Sequence, residues 1–239
     1  MPAADDHRRW ILDSLRTTDN NTVGIDRLCQ ICVAVTDTMG AGIALITDDV
    51  AQGSIGTTNS VSVRLEQLQY TFGEGPCIDA HRECRPVSEP DLATPLLSHW
   101  AAFTPAAVAS GARAVFGFPI AIGTVRLGAL TLYRDRPGPL NHAQHTDALL
   151  FADTAAEVII EMQAAAAPGA LGAEAEPGTN FRFVVHQAAG MVSVQLDITV
   201  ADALIRLRAH GFATGRLVTD VAEDVVARRL RFDRRDGLE

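Results

Sequence analysis

The C-terminal segment that begins at Asn180 constrains the fold most strongly, because it holds three short amphipathic stretches joined by tight connections. In each stretch apolar residues recur three or four positions apart, the period of a helix that buries one face. Thr199 is a good N-cap for the second stretch, and Asp202 lies near its positive end. Helices this short bury a common core only by packing together, so we predict a three-helix bundle, a unit too small to enclose an enzyme active site. The predicted buried sets are Phe181, Val184, Val185, Ala188 and Val192, then Val200, Ala203, Leu204 and Leu207, then Val218, Val221, Ala222, Val225, Val226 and Leu230.

Three motifs follow one another in this bundle: Gln187-Ala188-x-Gly190-Met191, Thr199-x3-Ala203-x3-Leu207-Arg208 and Leu217-x3-Val221-Ala222. Together they resemble the ANTAR domain, the RNA-binding module of bacterial antitermination regulators, over roughly residues 180–232. The resemblance implies that the bundle binds RNA stem-loops, usually as a protein dimer on paired hairpins. The chain departs from the family at Ala189, where a basic residue is common, at Asp197, where glycine is more usual, and at Gly211, where alanine is usual.

The C-terminal segment also has a higher density of positive charge than the rest of the chain. From Asn180 onward the chain contains nine arginines and eight acids, whereas the part before Asn180 contains eleven arginines and twenty-one acids. This distribution is expected if a polyanion is contacted at the C-terminus, although the small excess predicts only modest, salt-sensitive binding. A solvated helix face is the alternative for the arginines. The candidate RNA-contacting residues are His186, Gln187, Gly190, Met191, Arg206, Arg208, His210 and Arg216.

The part of the chain before the bundle alternates helical and strand patterns. A helical stripe runs from Ile25 to Val35, a buried strand is predicted at 42–47, and a second helical face extends from Val61 to Phe72. Two apolar runs around Gly123 predict a β-hairpin, and a long helix is expected from about 141 to 163. Helices at both ends of an antiparallel sheet make an α+β domain.

Four parts of this domain contain sequence motifs. They are Gly73-Glu74-Gly75-Pro76-Cys77-Ile78-Asp79-Ala80, Arg85-Pro86-Val87 with Pro90-Asp91-Leu92, Gly111-Ala112-Arg113-Ala114 and Leu127 to Tyr133. They resemble the GAF domain, a small-molecule or signal-sensing module, over roughly residues 22–163. The resemblance implies a GAF-type antiparallel sheet flanked by helices, with a small-molecule ligand as a candidate partner and the cofactor unknown. A GAF domain followed by an ANTAR domain is an arrangement of actinobacterial regulators.

The predicted organisation has four parts: an N-terminal helical lead at 1–21, the sensor at 22–163, a flexible linker at 164–179 and the bundle at 180–235. The linker is small, acidic and rich in proline and glycine. Trp10, Ile11, Leu12 and Leu15 form an apolar patch in the lead. Together with the long helix at 141–163, this patch either pairs across the two-fold axis of a homodimer or closes the sheet of its own monomer.

The four cysteines raise a competing hypothesis. Cys29 and Cys32 have thioredoxin-like spacing but fall on an apolar stripe, so we expect them to be core residues. Cys77 follows Gly75-Pro76 in the first turn of a predicted helix, where the macrodipole would lower the pKa of its thiol. Some GAF-fold proteins are methionine sulfoxide reductases, so Cys77 is a candidate redox residue. No metal-ligand set or catalytic constellation stands out from the sequence.

The sequence has no apolar run long enough to span a membrane and no signal peptide at its start, so we expect a cytoplasmic protein. We predict a signal-responsive RNA-binding regulator of transcription antitermination or message accessibility, and not an enzyme. The alternatives are a redox enzyme or thiol sensor that uses Cys77, and an interaction adaptor without RNA binding. In the regulator, we expect the sensor to act either by changing dimer geometry or by covering the bundle, with its acidic residues competing with RNA phosphates for Arg206, Arg208 and Arg216.

Overall fold

The computed structural model describes residues 9–10, 24–47, 50–96, 100–165 and 181–233. The N-terminal lead, except for Arg9 and Trp10, and the linker, except for positions 164 and 165, lie outside the described residues. The elements are α1 (Ile25–Thr36), β1 (Gly40–Thr47), β2 (Val50–Thr57), α2 (Ser60–Phe72), α3 (Pro76–Glu83), β3 (Val87–Glu89), α4 (Phe103–Ala109), β4 (Ala114–Ile122), β5 (Val125–Arg134), α5 (His142–Ala165), α6 (Phe181–Leu196), α7 (Val200–Thr214) and α8 (Val218–Val226).

The centre of the fold is a five-stranded antiparallel sheet with the strand order β2-β1-β5-β4-β3. The predicted hairpin is present, because β4 and β5 pair around a turn in which Gly123 has a φ of 60°. Alternate side chains of each strand enter opposite faces of the sheet. On the first face, α1 and α5 cover Ile43, Leu130 and Phe116, so the predicted α+β architecture is confirmed.

The second face of the sheet is covered by α2 and α3, with α4 packed against α2. Two glycines permit close approaches of the backbone, Gly117 that of α3 to the sheet and Gly128 that of β1 to β5. A Cβ at Gly117 would overlap the carbonyl oxygen of Pro76 at the start of α3, and a Cβ at Gly128 would overlap the carbonyl oxygen of Ala44. These positions therefore exclude any side chain.

The C-terminal residues form the predicted three-helix bundle, α6 to α8. Thr199 caps α7 as expected: its Oγ1 accepts the N–H of Asp202 at 3.1 Å and donates to the carboxylate of Asp202 at 2.7 Å. Asp197 has a φ of 58°, a left-handed conformation that glycine adopts more readily than other residues. The third apolar stripe is not helical throughout, because α8 ends at Val226 and Leu230 lies beyond it. The bundle core contains Val185, Ala188, Val192, Ala203, Leu207, Val218, Val221, Ala222, Val225 and Phe232.

The bundle packs against the sheet domain, and the two share one hydrophobic cluster. Bundle residues meet Ala44, Ala129 and Tyr70, which belong to the second face of the sheet and to α2. No single helix in the described part of the chain is long and apolar enough to span a membrane, although the bent pair of α6 and α7 meets that criterion when taken together.

Two helical glycines of the bundle give a test of this packing. A Cβ at Gly211 in α7 would lie 2.9 Å from the carbonyl oxygen of Arg216 and 3.4 Å from Cγ2 of Thr71, whereas a Cβ at Gly190 in α6 meets open space. Gly190→Ala should stabilise the protein by roughly 1 kcal/mol through helix propensity. In Gly211→Ala, overpacking costs of about 1–3 kcal/mol should outweigh that gain. Urea unfolding of the full chain measures both changes. Equal stabilisation by the two substitutions would contradict the close approach of α7.

Candidate nucleic-acid interface

The sequence-predicted RNA-contacting residues lie on several faces of the bundle instead of one. His186 and Gln187 are exposed on α6, and Gly190 on the same helix is partly exposed. Met191 is half-buried and packs against the bundle core. The exposed part of this α6 face is therefore open to a ligand, while Met191 also has a structural role.

Arg208 is half-buried and lies on the sheet domain. Its guanidinium carbon is 4.6 Å from the centroid of the Tyr70 ring, and Tyr70 itself is only 4% exposed. This is the geometry of a partly desolvated cation–π contact, which contributes about 0.5–2 kcal/mol. The sheet domain thus covers Arg208, as the sequence led us to expect, and the Tyr70 ring takes part in this contact.

Arg216 is engaged within the bundle. Its guanidinium donates to the carboxylate of Asp224 at 2.6 Å, and Arg229 donates to the other oxygen of the same carboxylate at 2.7 Å. The hydrogen bonds from Arg216 and then Arg229 lower the pKa of Asp224. The expectation that the acidic sensor covers Arg216 is therefore not met, since its ion pair is with a residue of its own domain.

Arg206 and His210, four residues apart on α7, are the two predicted residues that the structure brings together. They line an open groove of about 730 Å³ between α7 and the chain segment 230–233, which we call the α7 groove. Phe232 and Arg231 form the opposite wall, and the ring of His210 meets the ring of Phe232 edge to face at 5.3 Å. Sequence patterns had not singled out Arg231 or Phe232, because they follow the last helix.

Besides the shared apolar cluster, three consecutive residues at the C-terminus of α2 make individual contacts with the bundle. The ring of Tyr70 contacts the guanidinium of Arg208. Oγ1 of Thr71 accepts a hydrogen bond from the N–H of Val218 at 3.2 Å. The ring of Phe72 contacts that of Phe212 edge to face, with the ring centroids 5.9 Å apart. We call this set of contacts the docking seam. Because every contact of the seam starts from one helical turn, a shift of that turn would alter all three together.

A buried polar network lies next to the docking seam, between α2 and the sheet. Gln69 donates through Nε2 to Oγ1 of Thr131 at 3.2 Å and to Oε1 of Glu66 at 3.5 Å, and its Oε1 accepts the N–H of Cys77 at 2.7 Å. Burial raises the pKa of Glu66 to about 7, while a hydrogen bond with Thr131 acts in the opposite direction. Glu66 is therefore an interior group that titrates near neutrality.

The four cysteines differ in exposure, since three are buried and one is exposed. Cys77 lies near the N-terminus of α3, as predicted. It is only 1% exposed, however, and burial raises the pKa of its thiol well above the ordinary value. The predicted lowering of that pKa was wrong, because desolvation outweighs the helix dipole. Cys29 and Cys32 are buried in the core as predicted, and burial raises the pKa of each thiol as well. Cys84 is exposed.

No family model matches the sequence, and no curated protein matches it either. Among solved structures, the GAF domain of a phosphoenolpyruvate-protein phosphotransferase from Coxiella burnetii is 17% identical, with a TM-score of 0.52 over 68% of this chain and 95% of that one. The GAF domain of an Acinetobacter phosphoenolpyruvate-protein phosphotransferase is 13% identical, with a TM-score of 0.51 over 69% and 98%. The sheet domain has a GAF fold. The docking seam therefore joins α2 of a domain with this fold to the bundle.

Glu66 predicts a pH dependence of stability for the GAF domain. Between about pH 4.5 and about pH 7, the folded chain retains a proton on Glu66 that the unfolded chain releases, so the free energy of unfolding should fall as pH rises through this window. The full effect is about 3 kcal/mol. Glu66→Gln should make this fall shallower by about 2 kcal/mol, as measured by urea unfolding between pH 5 and pH 8.

Glu161 on the exposed side of α5 supplies the matched control, since Glu161→Gln removes a carboxylate in contact with solvent. This variant should follow the wild-type pH profile. Parallel profiles for wild type and Glu66→Gln would show that Glu66 is ionised in the folded chain throughout this window.

The accessibility of the thiols gives a second test. The thiolate is the reactive form, and burial both hinders access and disfavours ionisation. In the native full chain, a disulfide reagent should modify Cys84 rapidly and the other three thiols only after unfolding. Cys84→Ser should abolish the rapid phase. Rapid modification of Cys77 in the Cys84→Ser variant would restore Cys77 as a redox candidate.

Proposed function

We propose that this chain is a cytoplasmic, signal-responsive regulator in which the GAF domain controls an ANTAR-type bundle that binds RNA stem-loops. The regulated step is transcription antitermination or message accessibility, and the chain is not an enzyme. The ANTAR motifs and the arginines of the C-terminal segment support RNA binding. Exposure of His186, Gln187 and Arg206 on the bundle is consistent with it, since loops of RNA are read by stacking and by hydrogen bonds to base edges.

The observation that carries the proposal is the contact between Arg208 and Tyr70. The face of the guanidinium that lies on this ring cannot at the same time stack on a base, and the buried Nε of Arg208 cannot reach a phosphate. The docked arrangement is thus a state of lower RNA affinity, and a signal that moves the end of α2 frees Arg208. A small molecule bound to the GAF domain would act by binding the docked and released states with different affinities.

We further propose that the regulator is a homodimer that presents two bundles to paired hairpins. Leu149 and Ile160 lie on the same face of α5, three helical turns apart, and are exposed. Pairing of this face across a two-fold axis would bury both side chains. The burial of Cys77 offers no support for the redox-enzyme alternative.

Substitution of Tyr70 tests the control mechanism directly. Tyr70→Leu removes the ring beneath Arg208 but keeps an apolar side chain, and should raise the affinity of the full chain for a tandem-hairpin RNA by about three- to tenfold. Tyr70→Phe keeps the ring face and should bind like wild type. The gain should shrink as salt rises, and adding Arg208→Ala to the Tyr70→Leu variant should remove it. Fluorescence anisotropy measures the affinities, and thermal unfolding verifies that each variant folds.

The outcomes separate the parts of the proposal. Equal affinities of Tyr70→Leu and Tyr70→Phe would show that the seam does not control RNA binding. Equal binding of hairpins and of a scrambled unpaired RNA would reduce the interaction to nonspecific charge attraction. Absence of RNA binding in all variants would overturn the RNA function and favour the interaction adaptor.

A further inference from the structure

The α7 groove has the composition of a binding site rather than of a solvated helix face. The wall formed by α7 consists of Arg206, Ala209, His210 and Ala213, which are spaced i, i+3, i+4 and i+7 and so share one face of the helix. The two alanines leave room beside the larger side chains. Leu196 and Ile198, from the end of α6 and the connection that follows it, also line the groove and add apolar surface.

The opposite wall is held in place by main-chain hydrogen bonds. The N–H groups of Arg229 and Leu230 donate to the carbonyl oxygen of Asp224 at 2.7 and 3.0 Å, and the N–H of Phe232 donates to Oε1 of Gln195 at 2.9 Å. Phe232 itself is only 7% exposed. The segment 230–233 is thus part of the bundle, and hydrogen bonds within the bundle hold this wall of the groove in place.

Two arginines of the groove, Arg206 and Arg231, have guanidinium N–H donors that can bind a ligand. Among the described residues, no hydrogen bond or ion pair engages the guanidinium of Arg206 or Arg231, in contrast to Arg216 and Arg229, which share Asp224. Asp233 lies at the edge of the groove and reduces its positive charge without cancelling both arginines. The groove is therefore complementary to an anion, and guanidinium groups bind phosphate through paired N–H donors.

The remaining lining suits a planar aromatic group. The imidazole of His210 and the apolar side chains of Leu196 and Ile198 provide surfaces against which a nucleobase can stack or pack. A phosphate attached to a planar base is a nucleotide. We propose that the α7 groove binds a single unpaired nucleotide, with its phosphate at Arg206 and Arg231 and its base against His210 and the apolar lining. This inference rests on the proposed function for its source, a loop nucleotide of the RNA; a free nucleotide has the same chemistry.

The test uses the full chain and a tandem-hairpin RNA, with a second RNA whose loop nucleotides are abasic. Arg206→Gln and Arg231→Gln should each weaken binding of the intact RNA by about tenfold, because each loses a charged hydrogen bond to phosphate. Ala209→Leu should weaken it similarly by filling the groove, at an exposed position that tolerates a larger side chain. Arg228→Gln makes the same change of charge at an exposed residue outside the groove and should have less than a threefold effect.

The abasic RNA should bind wild type about tenfold more weakly than the intact RNA, and Ala209→Leu should abolish this difference. Equal effects of the groove variants and Arg228→Gln, or equal binding of intact and abasic loops, would overturn the groove while leaving the RNA function standing. AMP, GMP, CMP and UMP are titrated in parallel. Nucleotide binding that Arg206→Gln weakens, in a chain that binds no hairpin, would support the groove and overturn the RNA function. Binding of neither RNA nor nucleotide would overturn both.

Discussion

The burial of the second face of the sheet is the constraint on which the rest of the structure depends. Small residues such as Ala44 and Ala129 lie on that face, and they are buried in a cluster that includes the apolar side chains of the bundle. Removing the bundle would therefore expose part of the GAF core as well as the bundle core. Because apolar burial is the main favourable term in folding, the two domains stabilise one another, and a change in either is felt at their contact.

Features that depend on local sequence were predictable. The three bundle helices, α2 and the β4–β5 hairpin follow from periodicity and turn residues, and the structure confirms them. Two residues of the bundle also have strict local backbone requirements. Asp197 adopts the left-handed conformation that usually favours glycine, and Gly211 lies where a Cβ would press against the backbone of Arg216. Such residues are informative in a sequence because their backbone requirements are strict.

Features that depend on distant residues were not predictable. Tyr70 and Arg208 are separated by most of the chain, and no pattern around either residue indicates the other. The pKa of Cys77 was predicted from the helix N-terminus alone, whereas the thiol is enclosed by β5 and α2, and desolvation exceeds the effect of about half a charge. Phe232 could not be assigned to the core from the sequence because it reaches the core from an irregular segment. In each case the missing information was which other element packs on the residue.

The contact between Arg208 and Tyr70 in the docking seam has a strength that suits the conformational switch that we propose. A cation–π contact contributes at most about 2 kcal/mol, which corresponds to roughly a thirtyfold change in an equilibrium constant. Coupling energies between allosteric sites are typically of this size, about 1–3 kcal/mol. An ion pair buried at the same place would resist release, because separating it would leave an uncompensated charge in the interior. The Tyr70 ring is neutral, so its separation from Arg208 leaves no charge of its own in the sheet domain, and under the mechanism that we propose a weakly bound signal suffices to shift the equilibrium between docked and released states.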